Sequence, residues 1–166
     1  MGQAWELLLI EDNTVDAMLL VSHMDGLPFR VHQAESMAEA YERLTDKQID
    51  LAILDLGLPD VEGDYPLAAL RQLREFAPAL PVLIISADEG EEFAKELGEL
   101  GGEDWIQKGR VNRENLRRIL FTMTGKIIHK KQGQDVQAAM YKASSALDMI
   151  EETLLSMTRK VATSGG

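Results

Sequence analysis

Hydrophobic positions along the chain follow two alternating periods. Short runs rich in Leu, Ile and Val, at residues 6–10, 29–33, 51–54, 82–85 and 105–107, read as strands, and each is followed by a segment with apolar residues at helical spacing. The first helix is expected over residues 14–24, with Val15, Met18, Leu19 and Ser22 turned inward. The second opens at Ser36, which forms a Ser-x-x-Glu capping box with Glu39, and buries Ala40, Tyr41 and Leu44. The third follows Gly63, sets Leu67, Leu70 and Leu73 or Arg74 in register, and is stopped by Pro78. The fourth is expected over 89–100, and the fifth starts near Asn112 with Leu116, Ile119, Leu120 and Met123 on one face. Strict β-α alternation implies a parallel sheet with right-handed crossovers and helices on both faces. The runs Leu51-Ala52-Ile53-Leu54 and Val82-Leu83-Ile84-Ile85 are apolar at every position, as strands buried on both faces must be.

The pattern changes after residue 124. From Val136, the residues Met140, Ala143, Leu147, Ile150, Leu154, Met157 and Val161 recur at alternating steps of four and three, the 3.5-residue period of a coiled-coil seam. A helix over residues 136–162 with that seam, about 39 Å long between Val136 and Val161, forms a C-terminal extension. Ala139 and Ala146 flank the seam, which also fits a broader bundle contact, and the e and g positions carry little charge to specify strand orientation. Gly125 and Gly133 bracket a stretch where the seam lapses, so residues 125–135 are expected to form a hinge or an irregular helix. Residues 163–166, Thr-Ser-Gly-Gly, are expected to be disordered. The expected organisation is thus a domain over 1–124, a hinge over 125–135, a coiled-coil-like helix over 136–162 and a disordered end. No output domain is recognised after the seam, and the chain also reads as a fragment of a longer kinase or cyclase.

Charge sharpens the division. The chain carries 17 Lys and Arg against 28 Asp and Glu, a net −11; residues 1–124 account for −13 and residues 125–166 for +2. An acidic body repels phosphate backbones, so direct nucleic-acid binding is disfavoured and a metal cation becomes a natural partner. With 45% hydrophobic residues the chain can bury a real core, and with no cysteine it has no disulfide, thiolate metal site or thiol nucleophile. No stretch approaches the roughly 18 apolar residues of a membrane span, so no membrane association and a cytoplasmic location are expected.

In an open parallel sheet, ligands bind beyond the carboxyl ends of the strands. There the chain places Glu11 and Asp12 after the first strand, Asp55 after the third, Ser86 after the fourth and Lys108 after the fifth. Three carboxylates repel one another unless a cation joins them, and hard oxygen ligands suit Mg²⁺. Glu11, Asp12, Asp55 and the backbone carbonyl of Gly57 are the expected ligands, some through water. Phosphoryl transfer to a carboxylate needs a metal, a cation and hydrogen-bond donors around the phosphoryl oxygens. Asp55 then serves as nucleophile, Lys108 pairs with one phosphoryl oxygen, Ser86 donates its hydroxyl to another, and backbone N–H groups after Asp55 and at Ala87 add donors.

The stretches Leu7-Leu8-Leu9-Ile10-Glu11-Asp12-Asn13, Leu54-Asp55-Leu56-Gly57-Leu58-Pro59-Asp60-Val61-Glu62-Gly63, Ile84-Ile85-Ser86-Ala87 and Gly101-Gly102-Glu103-Asp104-Trp105-Ile106-Gln107-Lys108 resemble, in order, the four signatures of response-regulator receiver domains. The resemblance covers residues 5 to about 124. It implies a flavodoxin-like, doubly wound α/β fold with five parallel strands in the order 2-1-3-4-5 and five helices. It also implies phosphotransfer from a histidine kinase in a two-component phosphorelay and Mg²⁺-dependent self-dephosphorylation, with no separate substrate turned over as an enzyme would. The resemblance further implies a switch in which Ser86 turns toward the phosphoryl group and Trp105 moves inward, changing the face made by helix 4, strand 5 and helix 5. Homodimerisation is expected through that face or through the C-terminal helix.

Three positions depart from the family pattern. Glu11 stands where aspartate is commoner, Trp105 is larger than the usual Tyr or Phe, and Lys108 precedes Gly109 where the family usually has a proline that helps aim the lysine. The last departure keeps a second reading open, a receiver-like interaction scaffold that works without phosphorylation. A phosphatase of the haloacid dehalogenase type would need a carboxylate two positions after the nucleophile, and Gly57 stands there. The first strand leads to Glu11-Asp12-Asn13 and not to a glycine-rich phosphate loop, which disfavours nucleotide-binding folds. His23 and His32 read as surface residues, and His129 matches a phosphotransfer motif poorly.

Overall fold

The computed structural model describes residues 4–61, 67–87, 90–100 and 104–164. It divides into two compact units, Met1–Thr122 and Met123–Gly166. In the first, strands β1 (Trp5–Ile10), β2 (Phe29–Ala34), β3 (Leu51–Asp55), β4 (Val82–Ser86) and β5 (Trp105–Gln107) alternate with helices α1 (Thr14–Met24), α2 (Met37–Asp46), α3 (Ala68–Phe76) and α4 (Glu91–Glu99). A 3-10 turn, Lys108–Arg110, leads into α5 (Arg113–Ser164). The strands form one parallel sheet in the order β2-β1-β3-β4-β5, the doubly wound flavodoxin-like arrangement.

Every residue of β3 and β4 is buried, and β1 is buried from Leu7 onward. These all-apolar strands are covered on both faces, so they withdraw most of the core from water. Leu8, Ile10, Leu54 and Ile84 join Leu67, Leu70 and Leu73 around α3 and Phe93 and Leu97 of α4 in one cluster. The edge strand β2 is half-exposed, and its outer charges are held by Glu6 of β1, which pairs with Arg30 at 2.7 Å and His32 at 2.6 Å.

The helix boundaries have local causes. Asn13 accepts the amides of Val15 and Asp16 and starts α1. Ser36 accepts the Glu39 amide as the capping box requires, but the returning arm of the box lands one residue early, with Glu39 accepting from the Glu35 N–H at 3.0 Å. The remaining free amides of that helix start, Met37 and Ala38, donate to Asp60 in the loop after β3, at 2.9 and 3.3 Å. α3 ends at Phe76 with Ala77 as its C-cap, because Pro78 disfavours helical backbone at the residue before it.

Several expectations are corrected. The buried face of α1 is Ala17, Leu20 and Met24, while Val15, Met18 and Leu19 are exposed. This helix is apolar on nearly every side, so spacing alone does not choose a face. Residues 125–135, expected as a hinge or an irregular helix, lie within the continuous helix α5, where two isolated glycines at about 1 kcal/mol each are outweighed by good helix formers around them. Thr163 and Ser164, expected to be disordered, also lie in α5. The expected start of helix 4 at Glu89, the motif residues Glu62, Gly63 and 101–103, and residues 165–166 lie outside the described residues. In the second unit, Val136, Met140, Leu147, Ile150, Leu154 and Met157 of the seam are all exposed.

Asp60 ties the loop after β3 to the start of α2, and this contact has a measurable weight. Asp60→Ala is expected to lower the stability of the protein by about 1 kcal/mol, the usual cost of a lost N-terminal cap, read as a shift in the urea midpoint without a change in slope.

Candidate functional site

Four strand ends deliver the site. Register pairs Ile10 of β1 with Leu54 of β3, so Glu11 and Asp55 emerge side by side at the carboxyl edge of the sheet. Asp55 in turn pairs with Ile85, which puts Ser86 one residue farther along the neighbouring strand. Lys108 follows β5 directly. Glu11, Asp55 and Ser86 are buried, and Asp12 is exposed at the rim.

The three carboxylates meet as the sequence leads one to expect. One oxygen from each of Glu11, Asp12 and Asp55 lies within 4.8 Å of the others. Lys108 Nζ sits 2.8 Å from Asp55 Oδ2 and 3.8 Å from Glu11 Oε2. The Gly57 N–H donates to Asp55 Oδ1 at 3.1 Å, and a Cβ at Gly57 would stand 3.7 Å from that oxygen. Asp55 is thus gripped on one oxygen by a backbone amide and on the other by an ammonium. Ser86 and Trp105 stand on the strands beyond it; Trp105 is half-buried and meets Phe93 of α4 edge-on, with ring centroids 5.6 Å apart.

Glu11 carries the strain of this crowding. Its Oε1 accepts the Asn13 amide at 2.9 Å, but Oε2 is buried with no hydrogen-bond partner. Burial pushes its pKa up to about 7; the Asn13 amide opposes the shift and the neighbouring Asp55 adds to it. For Lys108, partial burial works against the charged form. The hydrogen bond and charge of Asp55, with Glu11 and Asp16 adding, outweigh it and hold the pKa above the ordinary lysine value. A buried carboxylate oxygen that accepts no hydrogen bond and has Lys108 Nζ only at 3.8 Å, beside two more carboxylates, suits a hard cation, so the residues present fit Mg²⁺.

Two contributors were not singled out in the sequence. Asp16, in the first turn of α1, places Oδ2 3.3 Å from Lys108 Nζ. Asn13 holds both Glu11 and the start of α1. Each is a polar residue near a helix start, where the favourable helix dipole and capping explain acidic and amide side chains without any site, so nothing in the local pattern set them apart.

A model of the response regulator receiver domain matches residues 7–121. The PhoP virulence transcriptional regulatory protein of Salmonella typhimurium strain LT2 is 34% identical over 116 residues, 70% of this chain and 50% of PhoP. This chain therefore spans about half the length of the curated relatives it matches. Among solved structures, a signal receiver domain from Vibrio parahaemolyticus aligns with a TM-score of 0.69 at 23% identity, over 78% of this chain and 96% of that one. A CheY-like receiver protein from Methanospirillum hungatei gives 0.63 at 18%, over 78% and 98%. At these identities the structures bear on the fold alone. No described helix is long and apolar enough to cross a membrane.

The raised pKa of Glu11 predicts a pH dependence. A carboxyl that holds its proton more tightly folded than unfolded stabilises the folded state at low pH, and that contribution is lost as pH rises from about 4.5 to about 7. In metal-free protein, Glu11→Gln should therefore gain in Tm relative to the wild type as pH goes from 5 to 8. A constant difference across that range would show that Glu11 titrates as an ordinary carboxyl.

Proposed function

This chain belongs to the response regulator receiver family, and we propose that Asp55 accepts a phosphoryl group from a histidine kinase in two-component signalling. The observation that carries the reading is the buried Asp55 carboxylate, 2.8 Å from Lys108 Nζ and within metal-sharing distance of Glu11 and Asp12. Glu11, Asp12, Asp55 and the Gly57 carbonyl would hold Mg²⁺, which when bound supplies neutralisation of the carboxylates and of the phosphoryl oxygens.

In this assignment an Asp55 oxygen forms the new O–P bond as the P–N bond of the phosphohistidine breaks, and the electron pair returns to the imidazole. Lys108 follows the charge outward, from the carboxylate to a phosphoryl oxygen. Ser86 offers its hydroxyl from β4, and the Gly57 amide keeps the spent carboxylate in place. The chain acts on itself, through phosphorylation and later hydrolysis, and turns over no separate substrate. Trp105 then shifts inward against Phe93, so that new charge at Asp55 is felt on the face made by α4, β5 and α5. A groove of about 440 Å³ opens beside Trp105, lined by Arg110, Asn115 and Arg118 among others.

PhoP is named a transcriptional regulator. In this chain the acidic body repels phosphate backbones, and we assign it a protein partner in preference to nucleic acid. A second copy of the chain is the partner that the C-terminal helix supports. Its seam exposes six large apolar residues at 3.5-residue spacing, and each Leu or Ile withdrawn from water contributes roughly 1.5–3 kcal/mol. A receiver-like scaffold independent of phosphorylation is the second reading, favoured by Gly109 after Lys108.

Incubation with Mg²⁺ and acetyl phosphate should add one phosphoryl group by mass, and Asp55→Asn should abolish the addition. Labelling that survives in the variant would move the acceptor elsewhere, and no labelling of the wild type would leave the scaffold. Sedimentation should show the full chain as a dimer and a chain ending at Thr124 as a monomer. A dimer in both would shift the interface to α4, β5 and α5; two monomers would sink self-association.

A further inference from the structure

Lys108 is followed by Gly109, so its main chain lacks the φ restraint that proline would impose. Gly109 lies in the 3-10 turn Lys108–Arg110, and a Cβ added there would meet nothing within 4 Å. A four-carbon stem on so open a turn must be aimed by what its ammonium touches. Three groups lie within reach: Asp55 Oδ2 at 2.8 Å, Asp16 Oδ2 at 3.3 Å and Glu11 Oε2 at 3.8 Å. Glu11 and Asp55 stand at strand ends, and Asp16 lies in the first turn of α1.

We propose that Asp16 is the positioning residue for Lys108, taking over the aiming that the backbone leaves undone. Asp16 is well held for that task. Its amide donates to Asn13 Oδ1 at 3.1 Å, and the Asn13 amide donates to Glu11 Oε1 at 2.9 Å. A closed circuit therefore runs from Glu11 through Asn13 and Asp16 to Lys108 and on to Asp55, joining the ends of β1, β3 and β5 through the first turn of α1. Glu11, Asp16 and Lys108 also line one crevice with Leu19, Leu20 and Val111. An ammonium has three donors, so Lys108 can keep its bond to Asp16 while another N–H passes from Asp55 to an incoming phosphoryl oxygen. Asp16 thus pivots the cation and touches neither donor nor metal.

The inference rests on Asp55 being the phosphoacceptor, and the test separates the two. With acetyl phosphate and saturating Mg²⁺, Asp16→Ala should lower the maximal phosphorylation rate about tenfold, in line with the cost of misplacing a catalytic group. The Mg²⁺ affinity, read by tryptophan fluorescence, should stay within about twofold because Asp16 is outside the carboxylate triad. Asp16→Asn, which keeps an acceptor oxygen but loses the charge, should recover part of the rate. In a Lys108→Arg background, Asp16→Ala should cost far less than in the wild type, the non-additivity expected of residues acting through one another. An unchanged rate in Asp16→Ala, or equal losses in both backgrounds, overturns the positioning role while the acceptor reading stands. A wild type that takes no label overturns both.

Discussion

The crowding of Glu11, Asp12 and Asp55 at one edge of the sheet is the constraint to which the rest of the first unit answers. Strand register brings Glu11 and Asp55 together whether or not their charges agree, because β1 and β3 are hydrogen-bonded neighbours with fully apolar interiors. Two like charges 4 Å apart cost about 4 kcal/mol at an effective dielectric of 20, and Glu11 has a buried oxygen with no donor to offset this. Lys108 balances one carboxylate well and a second only at 3.8 Å. The excess negative charge stands on a buried apolar core, and it makes a donor set that suits a hard cation.

The cluster is also tied to the helix starts. The amides that open α1 are tied to Asn13, which is tied to Glu11, while the amides that open α2 are tied to Asp60 in the loop after Asp55. Free N–H groups at a helix start must find acceptors in any case. Here the acceptors are residues flanking the acidic cluster, so the helices and the cluster are fixed by the same bonds. Beyond Asp55 the sheet continues to β4 and β5, where Ser86 ends one strand and the half-buried Trp105 packs against the core and meets Phe93 edge-on.

Sequence made the sheet legible because its strands are extreme: all-apolar runs ending in polar residues admit one register of faces and one edge for chemistry. The cluster of Glu11, Asp12, Asp55 and Lys108 was legible for the same reason, since strand ends are defined by where the apolar run stops. The inward face of α1 was not, because Val15, Met18 and Leu19 compete on equal terms with Ala17, Leu20 and Met24 and packing against the sheet decides between them. The Asp16 contact to Lys108 was hidden as well. It joins residues 92 apart in sequence, and an aspartate in a first helical turn already has a sufficient local explanation. At Gly125 and Gly133 the error was one of weight: each glycine costs helix stability, but neither cost exceeds that of breaking the helix around it.

Lys108 shows how a departure from a family pattern can be absorbed. A cation aimed by its backbone is held by geometry before any charge arrives; one aimed by a second carboxylate is held by electrostatics, and its hold weakens as its partners are neutralised or screened. Asp55 and Asp16 both lie on Lys108 now, but only Asp55 changes charge in the assigned reaction. If phosphorylation at Asp55 drew the ammonium outward, a retained bond to Asp16 would hold one side of it in the site. Gly109 imposes no proline-type restraint on φ beside Lys108, so the pairing with Asp16 is where the side chain's aim comes from in that reading.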